Sequence, residues 1–230
     1  MNDDNLLSAT AGYVDTLSFV SLFGLFTAHV TGNFVLIGAG VAGYGQGVFI
    51  KLMAFPAFIF GVALSSFIIR GRNPETPMRG ACLLYSVQAV LLLAFCFAGV
   101  KLGPKFNPEN WAVVLCGMFG ATAMGVQNAH SRLVARSGVP NTVMTGNVTQ
   151  VILDVLDLCS PRVAANVKAV ARTRVAKMLP AIVAFGLGAT AGALAYRNFG
   201  FWALLLPVIG LAWLGVQAWM HRNALVKRAS

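Results

Sequence analysis

Asp15 is an acid set inside a long apolar run, three residues after Gly12 and 16 before the tripeptide Thr31-Gly32-Asn33. The arrangement returns in the second half, where Gly125 and Asn128 precede Thr145-Gly146-Asn147 by a similar interval, 17 residues from Asn128 to Thr145. A charged side chain at bilayer depth costs about 2.5–3.5 kcal/mol on insertion scales, so its retention calls for a reason. Asp15 is therefore either a candidate proton carrier or a residue near the inner surface that only caps or pairs, whereas its counterpart Asn128 cannot titrate. His29, two residues before Thr31, adds an imidazole, the side-chain type suited to coupling or gating by protons. Gly32 and Gly146 allow backbone angles that a side chain would forbid. Thr31, Asn33, Thr145 and Asn147 are of the types that cap a restarting helix. Such a helix points free N–H groups and a positive dipole end at whatever lies before it, which suits an anion or a polar neutral solute. The plainer alternative is that each Thr-Gly-Asn merely caps a bent helix. Duplication in both halves favours a binding site, because paired breaks in apolar segments mark the solute sites of transport proteins. Gln127, beside Asn128, is expected to face the same interior.

These residues need elements to hold them. The 230-residue chain is 57% hydrophobic and 10% charged, against about 25% charged in soluble domains. It reads as one all-α integral membrane domain. Six runs approach the ~20 residues that span a bilayer core: 9–29, 49–69, 80–100, 111–130, 178–196 and 201–220. Two apolar segments remain, 31–47 and 143–159, each beginning near a Thr-Gly-Asn. The first is glycine-rich, and both are expected to be broken or re-entrant, with backbone satisfied by protein or water.

Charge supports this count. With Arg70, Arg72 and Arg79 inside, six spans put both termini inside and divide the loop cations thirteen inside to four outside, as topogenic charge requires. The outside set is Lys51, Lys101, Lys105 and Arg197; Arg136 falls inside. Full crossing by both leftover segments would give eleven to six, a weaker distribution. The net charge of +10 is thus loop charge, and no nucleic-acid partner is expected. Three spans per half require the second half to insert upside down, giving a 3+3 inverted repeat over about 9–100 and 111–221. Lys51, Pro56 and Phe60-Gly61 resemble Lys177, Pro180 and Phe185-Gly186 as a further correspondence. The basic segment 160–177 is either an amphipathic surface helix or a plain topogenic loop. Asp154 and Asp157 either line an inner vestibule or are solvated at their segment's end.

The stretches GYVDTLSF, FTAHVTGN, GVQNAHSR and NTVMTGNVTQ resemble the signatures of the bacterial YoaK family, also called DUF1275 or UPF0700. The resemblance spans nearly the whole chain. It implies a multi-pass protein of the bacterial inner membrane, and it implies no substrate and no catalytic residue.

The residues themselves point to a small permease or channel for a small polar or ionic solute. Thr31, Gly32, Asn33, Thr145, Gly146, Asn147, Asn128 and Gln127 would form its binding region, and Asp15 or His29 would couple or gate. A non-transporting scaffold or sensor is the alternative. A membrane-embedded enzyme is less favoured, since no cluster of titratable groups or nucleotide motif is visible. No cofactor is expected. No metal is expected either, because His29 and His130 do not occupy equivalent positions. Cys82, Cys96, Cys116 and Cys159 read as small packing residues. The partners are lipids, the solute and a possible second copy, for which the small pairs Gly61/Ser65 and Gly186/Thr190 offer close-packing faces.

Overall fold

The structure, a computed structural model, describes residues 3–70, 77–102, 107–134 and 139–229, the side chains of 77–79 and 221–229 excepted. Arg72, Lys105 and Arg136, and the side chains of Arg79, Arg222, Lys227 and Arg228, which entered the charge count, lie outside the described residues. The described residues contain no strand. The helices are α1 (Asp3–Ser21), α2 (Gly32–Val41), α3 (Val48–Arg70), α4 (Pro77–Leu102), α5 (Trp111–Leu133), α6 (Met144–Cys159), α7 (Ala165–Phe199) and α8 (Leu205–Ala229). A 3-10 turn, Gly200–Leu204, joins the last two.

Among the described residues, four stretches are long and apolar enough to cross a membrane: α3, Gly80–Leu102 of α4, α5, and Ala165–Met220, which runs through α7, the turn and α8. Gly200 interrupts the last with φ of 57°, a left-handed value that favours glycine. On either side of it, α7 lies along α1 and α8 lies along α4. Phe95 of α4, Leu17 and Leu25 near α1, and Met124 of α5 are fully buried between the helices. Phe67, Leu187, Ile209 and Trp213 are turned outward, as a lipid-facing surface demands.

Two helix pairs approach closely, α1 with α7 and α3 with α5, and glycines permit it. A Cβ on Gly12 would lie 2.2 Å from Phe185 O, and one on Gly125 would lie 2.4 Å from Phe58 O. A Cβ on Gly188 would lie 2.1 Å from Ala9 O, and one on Gly61 would lie 2.2 Å from Thr122 O. The same contacts are thus made twice with fixed offsets. Gly12 to Gly125 and Ala9 to Thr122 are each 113 residues, while Phe58 to Phe185 and Gly61 to Gly188 are each 127. This shifts the expected correspondence by two residues: Gly61 matches Gly188, and a Cβ on Gly186 would meet nothing within 4 Å.

The run expected at 9–29 is helical only as far as Ser21. The chain then breaks, with Phe23 at φ 55° and Gly24 at φ 78°. Of the segment 31–47, only the ten residues of α2 are helical, about 15 Å of rise. Gly43, Gly45 and Gly47 follow, all with positive φ. The 16 residues of α6 rise about 24 Å. Both are shorter than the ~30 Å bilayer core. The segment 160–177 is neither a separate surface helix nor a long loop, because α7 begins at Ala165 and runs unbroken for 35 residues.

Candidate functional site

The break after α1 is organised by Asp15. Its side chain is buried, and Oδ1 accepts from the Thr27 and Ala28 N–H groups at 2.7 Å each and from the His29 N–H at 3.4 Å. Oδ2 lies 2.8 Å from His29 Nδ1. The carboxylate therefore sits where three consecutive amides converge, an arrangement that offsets the cost of an anion at depth. Asn33 holds the same loop from the other side. Its Oδ1 accepts from the Phe26 N–H at 3.0 Å, and its Nδ2 donates to Phe26 O at 2.8 Å. Lys51 is buried as well. Its ammonium donates to Phe23 O at 2.6 Å and to Gln46 O, so it caps carbonyls that the break leaves free.

The second break repeats part of this construction. Asn147 Nδ2 donates to Pro140 O at 2.6 Å, and both residues stand 114 positions after Asn33 and Phe26. Pro140 has no N–H, so the second arm of the clamp is missing there. Asn128, in the place of Asp15, donates from Nδ2 to Thr142 Oγ1 at 2.6 Å.

The capping expected of the motif residues is not what they do. Thr31 is the N-cap of α2 and makes no side-chain cap bond. Val143 holds that position on α6, which places Thr145, Gly146 and Asn147 inside its first turn. The two asparagines instead reach back seven residues to tie their own loops. Neither Gly32 nor Gly146 has positive φ. A Cβ on Gly32 would lie 3.0 Å from the Phe26 ring, a tight contact that the ring would have to relieve by a small shift.

The two breaks meet at a cavity of about 470 Å³. His29 and Thr31 line it from the first half, and Asn128, Thr142 and Thr145 from the second. Phe55, Phe58 and Ile59 of α3 form an apolar wall. The His29 ring meets Phe185 of α7 edge-on, with centroids 5.3 Å apart. Of the sequence-derived residues, the cavity thus gathers His29, Thr31, Asn128 and Thr145. Asp15, Asn33 and Asn147 stand behind its wall and hold the lining loops. Gln127 turns elsewhere: Gln88 Nε2 donates to its Oε1 at 2.7 Å, and its own Nε2 donates to Leu7 O at 2.8 Å.

Sequence reading did not foresee three features. The direct Asp15–His29 contact depends on how the break folds back. Lys51, counted as a loop cation, is an internal tie. Asp154 is neither solvated nor in an open vestibule: it is fully buried and paired to Arg174, whose Nε lies 3.0 Å from its Oδ2. Among the described residues, no group of three or more His, Cys, Asp or Glu stands where it could hold a metal ion.

Long apolar helices around a buried, polar-lined break define a polytopic membrane protein. The family of proteins of unknown function DUF1275 matches residues 5–217, and the chain belongs to it. It is 28% identical over 206 residues to the UPF0700 transmembrane protein YoaK of Bacillus subtilis (strain 168), covering 89% of this chain and 88% of that one. No solved structure matches.

Proposed function

We propose that the chain is a small permease or channel whose solute site is the cavity between the two Thr-Gly-Asn breaks. One observation carries this reading: polar side chains from both halves, His29 and Thr31 with Asn128 and Thr145, line a single cavity. Solute sites between paired broken segments are the rule in transporters built from inverted repeats. The glycine contacts that recur at offsets of 113 and 127 support such a repeat. In it α1, α3 and α4 correspond to α5, α7 and α8, and α2 and α6 are the re-entrant pieces. That count reads Ala165–Met220 as two spans and α1 with its break as one. Both termini then lie on the cytoplasmic side of a bacterial inner membrane. His29 is the coupling or gating group, since Asp15 holds Nδ1 and so fixes the ring at the cavity wall.

The test is flux in proteoliposomes. Labelled small acids, amino acids, nucleobases and inorganic ions are offered to wild type and to Thr145→Trp, which fills the cavity. Flux of one class, lost in the variant, supports the proposal. No flux from any class in a folded, reconstituted protein overturns it and leaves a scaffold or sensor.

A further inference from the structure

The two halves differ in one chemical respect. In the first, the N–H groups of Thr27, Ala28 and His29 all reach Asp15 Oδ1. The motif offset of 114 carries these residues to Asn141, Thr142 and Val143. There the Asp15 position is Asn128, whose nearest bond is a donation to the Thr142 hydroxyl at 2.6 Å. Among the described residues, nothing accepts from the Asn141, Thr142 or Val143 N–H. Asn141 and Thr142 are nonetheless buried, and Thr142 and Val143 line the cavity. Buried amides without acceptors are rare, and a bound group is one of the standard reasons for them.

We propose that this cavity binds a small carboxylate anion beside Asn128, held by the Thr142 and Val143 amides that line it. The inference rests on the cavity being the solute site, as argued above. The chain displays its own ligand chemistry: Asp15 is a carboxylate with one oxygen on three amides and the other on an imidazole. In the second half the amides remain, and the neutral carboxamide of Asn128, turned to the Thr142 hydroxyl, stands where the carboxylate would be. The rest of the lining agrees. Among the described lining residues His29 supplies an imidazole, and the hydroxyls of Thr31 and Thr145 are further donors. Among the described residues no acid lines the cavity, so a cation would find no anionic ligand among them. A volume of about 470 Å³ suits a small solute rather than a lipid.

The experiment compares acetate with its neutral isostere acetamide, by thermal unfolding of the detergent-solubilised full chain, with sodium chloride at matched ionic strength. A ligand that binds the native state raises the midpoint by mass action. The expected result is a rise of at least about 2 °C with saturating acetate and no rise with acetamide or chloride. Asn128→Asp rebuilds the first-half arrangement and supplies an internal carboxylate. It should abolish the acetate shift while its ligand-free midpoint is no lower than that of wild type. Thr145→Trp, which fills the cavity, should abolish the shift too, and serves alone if Asn128→Asp does not fold. Equal shifts with acetate and acetamide, equal shifts with acetate and chloride, no shift with acetate, or an undiminished acetate shift in a folded Asn128→Asp would each overturn the proposal. Flux of a cation or neutral solute without an acetate shift defeats this inference alone. An acetate shift without any flux defeats the permease reading and leaves the anion site standing.

Discussion

Replacing Asp15 by alanine should be among the most damaging single changes in the chain. The carboxylate makes two 2.7 Å bonds to the Thr27 and Ala28 amides and a 2.8 Å contact to the His29 ring, in a site where Asp15 is 3% exposed. Alanine leaves those donors in place without acceptors. A buried unsatisfied donor costs about 1–3 kcal/mol, so the two amides alone give roughly 2–6 kcal/mol. Asparagine keeps an oxygen for the amides but loses the charge, which about halves bond strength, and should cost roughly 1–3 kcal/mol. The second half supplies the control. Asn128→Ala removes one neutral side-chain bond, to Thr142, worth about 0.5–1.5 kcal/mol. The assay is equilibrium unfolding in mixed micelles, followed by tryptophan fluorescence. The order Asp15→Ala, Asp15→Asn, Asn128→Ala in decreasing loss is the expected result. An Asp15→Ala protein within about 1 kcal/mol of wild type would refute the claim that this carboxylate organises the break, as would an equal loss from Asn128→Ala.

Gly188→Ala should cost about 1–3 kcal/mol or more, because its methyl would lie 2.1 Å from Ala9 O. Gly186→Ala, in open space on the same helix, should be neutral or stabilising by up to about 1 kcal/mol; paired unfolding curves decide. Lys51→Met should lose about 1.5–3 kcal/mol by stripping the cation from Phe23 O and Gln46 O, a loss read from the same curves. Burial raises the Asp4 carboxyl above its ordinary value, with the Val139 N–H and Lys177 acting against it. The folded chain then holds that proton more tightly than the unfolded one. Stability should therefore fall as pH rises from the usual carboxylate value through the raised one, and Asp4→Asn should flatten that limb in a pH series of melts.

The helices were legible because apolar runs of spanning length leave the backbone few alternatives. The position of the breaks was legible because a polar interruption inside such a run has to be stabilised by something. Its internal wiring was not. Thr-Gly-Asn looks like a cap, yet Asn33 and Asn147 bond seven residues upstream, a partner set by the path of the loop rather than by local propensity. The Asp15–His29 contact joins residues 14 apart and exists only because the chain turns back at Phe23 and Gly24. Lys51 read as a topogenic cation because nothing in its neighbours reveals the carbonyls left open after α1 and after α2, Phe23 O and Gln46 O. The glycine register missed by two residues because Phe-Gly occurs at both 60–61 and 185–186. Backbone approach, which only packing decides, selects Gly188 instead.

The central claim is that both breaks open onto one cavity, and labelling stoichiometry tests it most directly. Thr31 and Thr145 are both exposed lining residues. Each is changed to cysteine, singly and together, in a variant lacking Cys82 and Cys159, the other cysteines being buried. A bulky maleimide is added, and adducts per chain are counted by mass spectrometry. Each single variant should take one label. The double variant should also take one, because a label of that size occupies most of a space of about 470 Å³ and excludes a second. Two labels on the double variant would show that the breaks open onto separate surfaces, and the shared site would fall.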